Sequence, residues 1–215
     1  LWPQALIDMG ALSEKSPVSI VMKILEKFLY RKAKRIITLL PYAHRYISKL
    51  GISKVKIVWI PNGADLSRYK DIKKYEGGPS EQFKIMYLGA HGKANALDVI
   101  LKAAYIIQKK GANDIKFILV GDGPEKQYLM TQSGAMSLRN VEFRDSVPKD
   151  EIYKLTGEAD AFVFNLEDSP VFTYGISSNK LFDYMASGRP IIFSSNASNN
   201  PVAEANAGIS VPARD

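Results

Sequence analysis

Lys180 and Asp183 sit three positions apart at the start of a short helical pattern, inside the stretch running from Tyr174 to Pro190. Ser177, Ser178 and Asn179 before them are good N-cap residues. A helix start offers free N–H groups and a partial positive charge, which suit phosphate, and Lys180 adds a full charge. An acid beside a phosphate site needs another partner, and a ribose diol is one for Asp183. Leu181, Phe182 and Met185 give the helix an apolar face. Gly188 suits the left-handed position after the last turn, and Pro190 stops the helix. Ile191, Ile192 and Phe193 then read as a buried strand. The plainer alternative is a capped helix carrying Lys180 and Asp183 as a solvated pair.

Two glycine-rich turns carry further candidates. Gly89-Ala90-His91-Gly92-Lys93 leaves a strand, where glycines let the backbone approach a phosphate and Lys93 can neutralise charge. Gly121-Asp122-Gly123-Pro124 leaves the next strand in the same way. Either can equally be a plain strand-to-helix turn, and neither is a Walker loop or a dinucleotide fingerprint. Val147, in the loop Arg144–Pro148, can meet a base through its backbone. Glu167 and Asp168 follow a strand end and can reach sugar hydroxyls, although adjacent carboxylates are commonly solvated. They do not form a glycosidase pair. His91 is a ligand candidate or an incidental turn residue.

The composition narrows the field. Of the 215 residues, 46% are hydrophobic and 24% charged, which is globular rather than disordered. With no cysteine and only His44 and His91, disulfides, thiol catalysis and histidine-rich metal sites are excluded. The absence of cysteine fits a reducing cytoplasm. No apolar run reaches the length of a membrane span, and no signal peptide is visible. The chain opens Leu1-Trp2-Pro3 and stops at Asp215, and is read as a fragment of a longer protein. The first 78 residues hold 15 basic and 6 acidic side chains, a net +9, whereas the remainder is net −2. Lys23, Lys27, Arg31, Lys32, Lys34 and Arg35 cluster on or just after one helix. Such a face suits anionic lipid or a polyanionic acceptor, and equally suits solvent. No nucleic-acid module or aromatic-basic interleaving is present, so nucleic acid is not an expected partner.

The elements that must position these residues alternate. Residues 18–34 read as an amphipathic helix, 35–39 as a strand, 41–50 as a helix and 55–60 as a strand. Residues 64–82, with Gly77-Gly78-Pro79, read as a linker. Strands are expected at 83–88, 115–120, 141–143 and 160–165. Helices are expected from Leu97, from about Glu125, at 148–155, and from Pro201 to a stop at Gly208. Strands alternating with helices predict an α/β fold with a Rossmann-like, doubly wound parallel sheet. Ligands of such sheets bind at the carboxyl ends of the strands, where the two glycine turns and the Lys180 helix all fall.

Together the pieces resemble retaining GT-B glycosyltransferases of family four. The resemblance rests on Pro61-Asn62-Gly63-Ala64-Asp65, Gly89 before a helix, and Val120-Gly121-Asp122-Gly123-Pro124-Glu125. It rests further on Ala159-Asp160-Ala161-Phe162-Val163 and on Lys180 through Ile191, in that order along nearly the whole chain. It implies one GT-B half with a partial second domain. Residues 1–63 would be the end of the acceptor-side domain and 64–215 the nucleotide-sugar domain. It implies a nucleotide-sugar donor, usually UDP-linked, and transfer with retention to a lipid-linked or polysaccharide acceptor. No metal or other cofactor would be needed, because positive groups and a helix start stabilise the leaving diphosphate. The most similar subgroup transfers N-acetylated deoxysugars of the L-fucosamine type in surface-polysaccharide assembly, as in lipopolysaccharide or capsule. That places the protein in the cytoplasm, peripheral at the inner face of the plasma membrane.

By position, Asp183 matches the second acid of the family's paired-acid motif, which binds ribose. Ser178, Asn179 and Lys180 match the helix start facing the phosphates, and Val147 matches the base-contacting loop. Gly175, Ile176, Ser177 and Leu181 complete the donor-binding stretch. The first acid of the pair is Gly175 here, the usual Arg after the first glycine is Ala90, and the usual Lys further on is Asn95. Lys93 is the expected replacement for the lost charge, and Glu167 or Asp168 for the lost sugar contacts. The altered acid pair leaves open a GT-B epimerase or phosphorylase and a non-catalytic nucleotide-sugar-binding module. No catalytic base is assigned.

Overall fold

A computed structural model describes residues 1–70 and 82–215, which form two compact units. The smaller unit comprises Leu1–Asn62 together with Ser169–Ser178 and Asn196–Asn200. The larger takes in Gly63–Asp168, Asn179–Ser195 and Pro201–Asp215. The glycine-rich part of the predicted linker lies outside the described residues.

In the smaller unit the order is α1 (Gln4–Asp8), α2 (Pro17–Lys32), β1 (Ile36–Thr38), α3 (Ala43–Lys49) and β2 (Ile57–Trp59). The two strands pair in parallel, with Ile36 opposite Ile57. Ser16 caps α2 by accepting from the Ser19 N–H at 3.1 Å, with Pro17 at the first helical position. Lys56 donates to the carbonyls of Arg31 and Ala33 at the other end. Ile36, Ala43, Tyr46, Ile47 and Ile52 form the core. The expected amphipathicity of α2 is present, but its polar side is the inward one. Glu26 is buried and accepts from the hydroxyls of Tyr46 at 2.7 Å and Tyr30 at 3.1 Å. Val21, Ile24, Leu25 and Phe28 are exposed.

The larger unit continues with β3 (Phe83–Leu88), α4 (Leu97–Lys109), β4 (Ile115–Val120), α5 (Lys126–Ala135), β5 (Val141–Arg144) and α6 (Ile152–Thr156). It ends with β6 (Ala161–Asn165), α7 (Asn179–Ala186), β7 (Ile191–Ser194), α8 (Pro201–Glu204) and β8 (Gly208–Val211). Its six strands are all parallel, in the order β5-β4-β3-β6-β7-β8. The doubly wound α/β expectation therefore holds. β6 is buried along its length: its apolar run Ala161–Phe164 ends in Asn165, whose buried amide donates to the Ala96 carbonyl at 2.7 Å. Ile85, Tyr87, Leu97, Leu101, Phe117 and Leu119 centre one core layer.

Boundaries moved where local signals were weakest. The helix expected from 148 to 155 forms only from Ile152, and Lys54–Lys56 is a 3-10 turn rather than strand. Gly208 does not stop α8; it opens β8 against β7, where a Cβ would collide with the carbonyl of Ile191. Among the described residues, no helix is long and apolar enough to cross a membrane.

Candidate functional site

The strand order reverses between β3 and β6, and that is where the two strands part. Their ladder covers only Ile85 with Ala161 and Met86 with Phe162. Beyond it the hydroxyl of Tyr184, from α7, accepts from the N–H of Leu88 at 2.7 Å and donates to its carbonyl at 3.1 Å. The ring of Tyr184 stacks on Phe162 with centroids 4.1 Å apart. Tyr184 thus replaces a missing ladder rung and satisfies backbone groups that would otherwise be buried unpaired.

One turn earlier on the same helix face, Lys180 reaches across this opening. Its Nζ donates to the Tyr87 hydroxyl at 2.9 Å and to Oδ1 of Asn95 at 2.6 Å. It lies 4.5 Å from the Tyr87 ring centroid and 5.2 Å from that of Phe164. Tyr87 is the last residue but one of β3 and Phe164 the last but one of β6, so the ammonium stands at the topological switch point. Among the described residues no carboxylate pairs with it there, and burial brings its pKa down to about 7. A cation held by neutral partners in this way is prepared for an anionic ligand.

The two glycine turns are in backbone contact. Gly89 and Gly121 have φ of +145° and +148°, and a Cβ on Gly121 would run into the carbonyl of Gly89. Asp122 accepts from the His91 N–H at 2.8 Å, and His91 accepts from the Glu125 N–H at 2.9 Å. The paired turns line a cavity of about 250 Å³ together with Val120, Ser146 and Val147. Ile152 closes it and is also a wall of a second cavity, of about 210 Å³. That second cavity holds Asp183, Asn179, Lys149 and Tyr69. Tyr69 donates to Oδ1 of Asp183 at 2.8 Å. Burial, and then the Asp183 carboxylate, push the Tyr69 hydroxyl pKa well above its ordinary value. Two cavities sharing a wall, with a buried ammonium and a half-buried carboxylate on one helix, can take a nucleoside and the phosphates attached to it.

Residues 82–215 match the family model described as glycosyl transferases group 1, and residues 9–68 match that of Glycosyltransferase Family 4. The chain belongs to the glycosyl transferases group 1. It is 25% identical over 187 residues to the phosphatidyl-myo-inositol mannosyltransferase of Mycolicibacterium smegmatis, an overlap of 81% of this chain and 47% of that protein. The chain therefore spans about half the length of the curated relative it matches. Among solved structures, it resembles WaaG, a glycosyltransferase involved in lipopolysaccharide biosynthesis. The TM-score is 0.71 at 14% identity, covering 93% of this chain and 55% of WaaG. HepE of Anabaena, solved with UDP and glucose, gives 0.70 at 15% identity, covering 98% and 56%. The sucrose-phosphate synthase of Thermosynechococcus elongatus gives 0.71 at 18%, covering 98% and 53%. These likenesses show the GT-B fold.

Within this group 1 chain the expected residues fall into three sets. Gly89, Gly121, Asp122 and Val147 line the first cavity, and Asn179 and Asp183 the second. Lys180 stands at the switch point. Other residues are drawn elsewhere. His91 is fully buried, packed between Tyr87 and Phe143, and burial lowers its pKa. Leu181 is fully buried in the core. Gly92 opens a 3-10 turn, and Lys93 within it is exposed. The ammonium beside Asn95 is that of Lys180. Glu167 pairs with Arg214 at 2.7 Å, and Asp168 is exposed.

Gly175, Ile176, Ser177 and Ser178 belong to the smaller unit. The Ser177 hydroxyl accepts from the Asn62 N–H at 2.8 Å, tying this stretch to the Pro61-Asn62-Gly63 turn. Gly175 has φ of +92°, and a Cβ there would come within 2.7 Å of both Asn199 Oδ1 and Pro41 Cγ. Asn199 accepts from the Ile176 N–H at 2.7 Å and donates to the Ile176 carbonyl at 3.2 Å. The space beside Gly175 is therefore taken by a neighbouring amide. Tyr69, Tyr87 and Asn199 lie outside the motifs read from the sequence, and Tyr184 lies inside one without a role assigned to it. Among the described residues no group of three or more His, Asp or Glu side chains is placed to hold a metal ion.

Proposed function

We propose that the larger unit binds the nucleotide-sugar donor of a retaining glycosyltransferase, with a UDP-linked sugar as substrate. The observation that carries this reading is Lys180, a buried ammonium at the switch point, beside Gly89 of the cavity lined by Val147 and on the helix that carries Asp183 into the other; among the described residues it has no acidic partner. The base would sit against Gly121 and Val147, the ribose diol against Asp183, and the diphosphate against Lys180 and the start of α7. As the sugar leaves, negative charge grows on the diphosphate. Lys180 and the first N–H groups of α7 would stabilise it without a metal.

The acceptor would be lipid-linked or polysaccharide, and the transferred sugar an N-acetylated deoxysugar. The exposed apolar residues of α2 and the net charge of the first 78 residues support peripheral contact with the cytoplasmic face of a membrane. The chain by itself would transfer little sugar, since it spans about half of its curated relative.

Calorimetry with UDP tests the site. The expected result is binding that is largely lost in Asp183→Ala; equal affinity in the two proteins overturns the assignment. Saturation-transfer NMR over a panel of nucleotide-sugars then identifies base and sugar. Incubating the full-length protein with UDP-sugar, with and without a lipid-linked acceptor, separates transfer from epimerisation and from binding without turnover.

A further inference from the structure

Asp183 is not the only group that defines its cavity. Tyr69 ends a 3-10 turn, Leu66–Tyr69, whose start is held by Asp65 accepting from the Ser67 N–H at 3.0 Å. From there its hydroxyl donates 2.8 Å to Oδ1 of Asp183, across 114 positions of sequence. Both side chains line the cavity of about 210 Å³, with Arg68 and Lys149 also in its wall. An ionised carboxylate accepts through about four lone-pair directions on two oxygens. One hydrogen bond on Oδ1 leaves Oδ2 and the second direction on Oδ1, which is the pattern two vicinal hydroxyls need. A carboxylate in mid-helix can otherwise rotate, and its orientation would have to be fixed when the ligand arrives.

We propose that Tyr69 is a positioning residue for ribose: its hydroxyl pins the carboxylate of Asp183 so that the remaining acceptor positions face a vicinal diol. The assignment rests on the nucleotide reading of the site and adds a second residue to its sugar specificity. It makes Tyr69 matter in proportion to the diol of the ligand. A latch that must leave before ribose can bind would behave in the opposite way.

The test is calorimetry of this chain and its Tyr69→Phe variant with two probes, UDP and the dideoxyribose analogue of UDP. Tyr69→Phe is expected to weaken UDP about tenfold, the scale of ordering one side chain on binding, and to leave the analogue unchanged. The melting temperature of the variant should stay close to that of the parent. An equal loss for both probes assigns Tyr69 a merely structural role and overturns the proposal. Tighter UDP binding in Tyr69→Phe identifies a latch and also overturns it, as does an unchanged affinity. A parent chain that binds neither probe overturns the nucleotide reading itself, and this assignment with it.

Discussion

Oδ1 of Asn95 lies 2.6 Å from Nζ of Lys180, and it occupies the position where the resemblance to family four leads one to expect a lysine. The charge lost from the turn after β3 has its counterpart on α7, reaching back to the same point. An amide oxygen is a neutral acceptor, so it orients the ammonium without neutralising it. If this ammonium meets the donor's phosphates, Lys180→Met should weaken UDP binding by about tenfold or more. Lys93→Met should change it little, because that side chain is exposed. Parallel titrations of the two variants check both expectations.

The pH dependence follows from the same burial. Lys180 titrates at about 7 in the folded chain against an ordinary value of 10.5. Across that window the unfolded chain binds a proton that the folded chain lacks, so this residue makes stability rise with pH. Diphosphate beside the ammonium favours the charged form and raises its pKa again. UDP binding at pH values above about 7 is therefore expected to take up close to one proton and to weaken as pH rises. Calorimetry in buffers of different ionisation enthalpy measures the uptake, and Lys180→Met should abolish it.

Asp183 is predicted to act on the ribose rather than on the phosphates. Asp183→Ala should weaken uridine and UDP by the same factor, on the order of tenfold to a hundredfold. Asp183→Asn keeps an acceptor oxygen for Tyr69 and should fall between the parent and the alanine variant. Titration of both ligands against the three proteins decides this; a loss confined to UDP would move the residue to the phosphates.

Tyr184 offers a prediction about stability alone. Tyr184→Phe keeps the stacking on Phe162 but leaves the N–H and carbonyl of Leu88 without their partner. Losing it should cost about 1–3 kcal/mol, read as a lower urea midpoint with an unchanged slope. Lys180 is one turn away, so UDP affinity of the folded variant reports whether the opening between β3 and β6 keeps its shape.

The strands were legible where composition alone decides them. Phe83–Leu88 and Ile115–Val120 are apolar runs closed by glycine, and both formed as read. The helix carrying Lys180 and Asp183 was also legible, from its apolar spacing and from Gly188. What could not be read is where those two side chains turn. Spacing of three suggests a mutual pair, yet Lys180 goes to Tyr87 and Asn95, and Asp183 goes to Tyr69. These partners lie 85 or more positions away and are brought in by strand order. Which face of α2 turns inward was not legible for a similar reason. Its partners, above all Tyr46, are tertiary, and they draw the polar Glu26 inward.

Gly175 gives the sharpest test of how the missing acid has been absorbed. Returning an acid there by Gly175→Glu would demand a side chain at φ +92° and within 2.7 Å of Asn199 Oδ1 and Pro41 Cγ. Strain of this kind costs about 1–3 kcal/mol before the collisions are counted. The variant is expected to melt well below the parent. Asn199→Ala should also be destabilised, because the Ile176 N–H loses its acceptor. Gly175→Ala combined with Asn199→Ala removes one collision, so the double variant should lose less stability than the two single losses added together. Thermal unfolding of the parent, Gly175→Ala, Asn199→Ala and the double variant completes this cycle. Additive losses would mean that Asn199 does not occupy the space the acid would need.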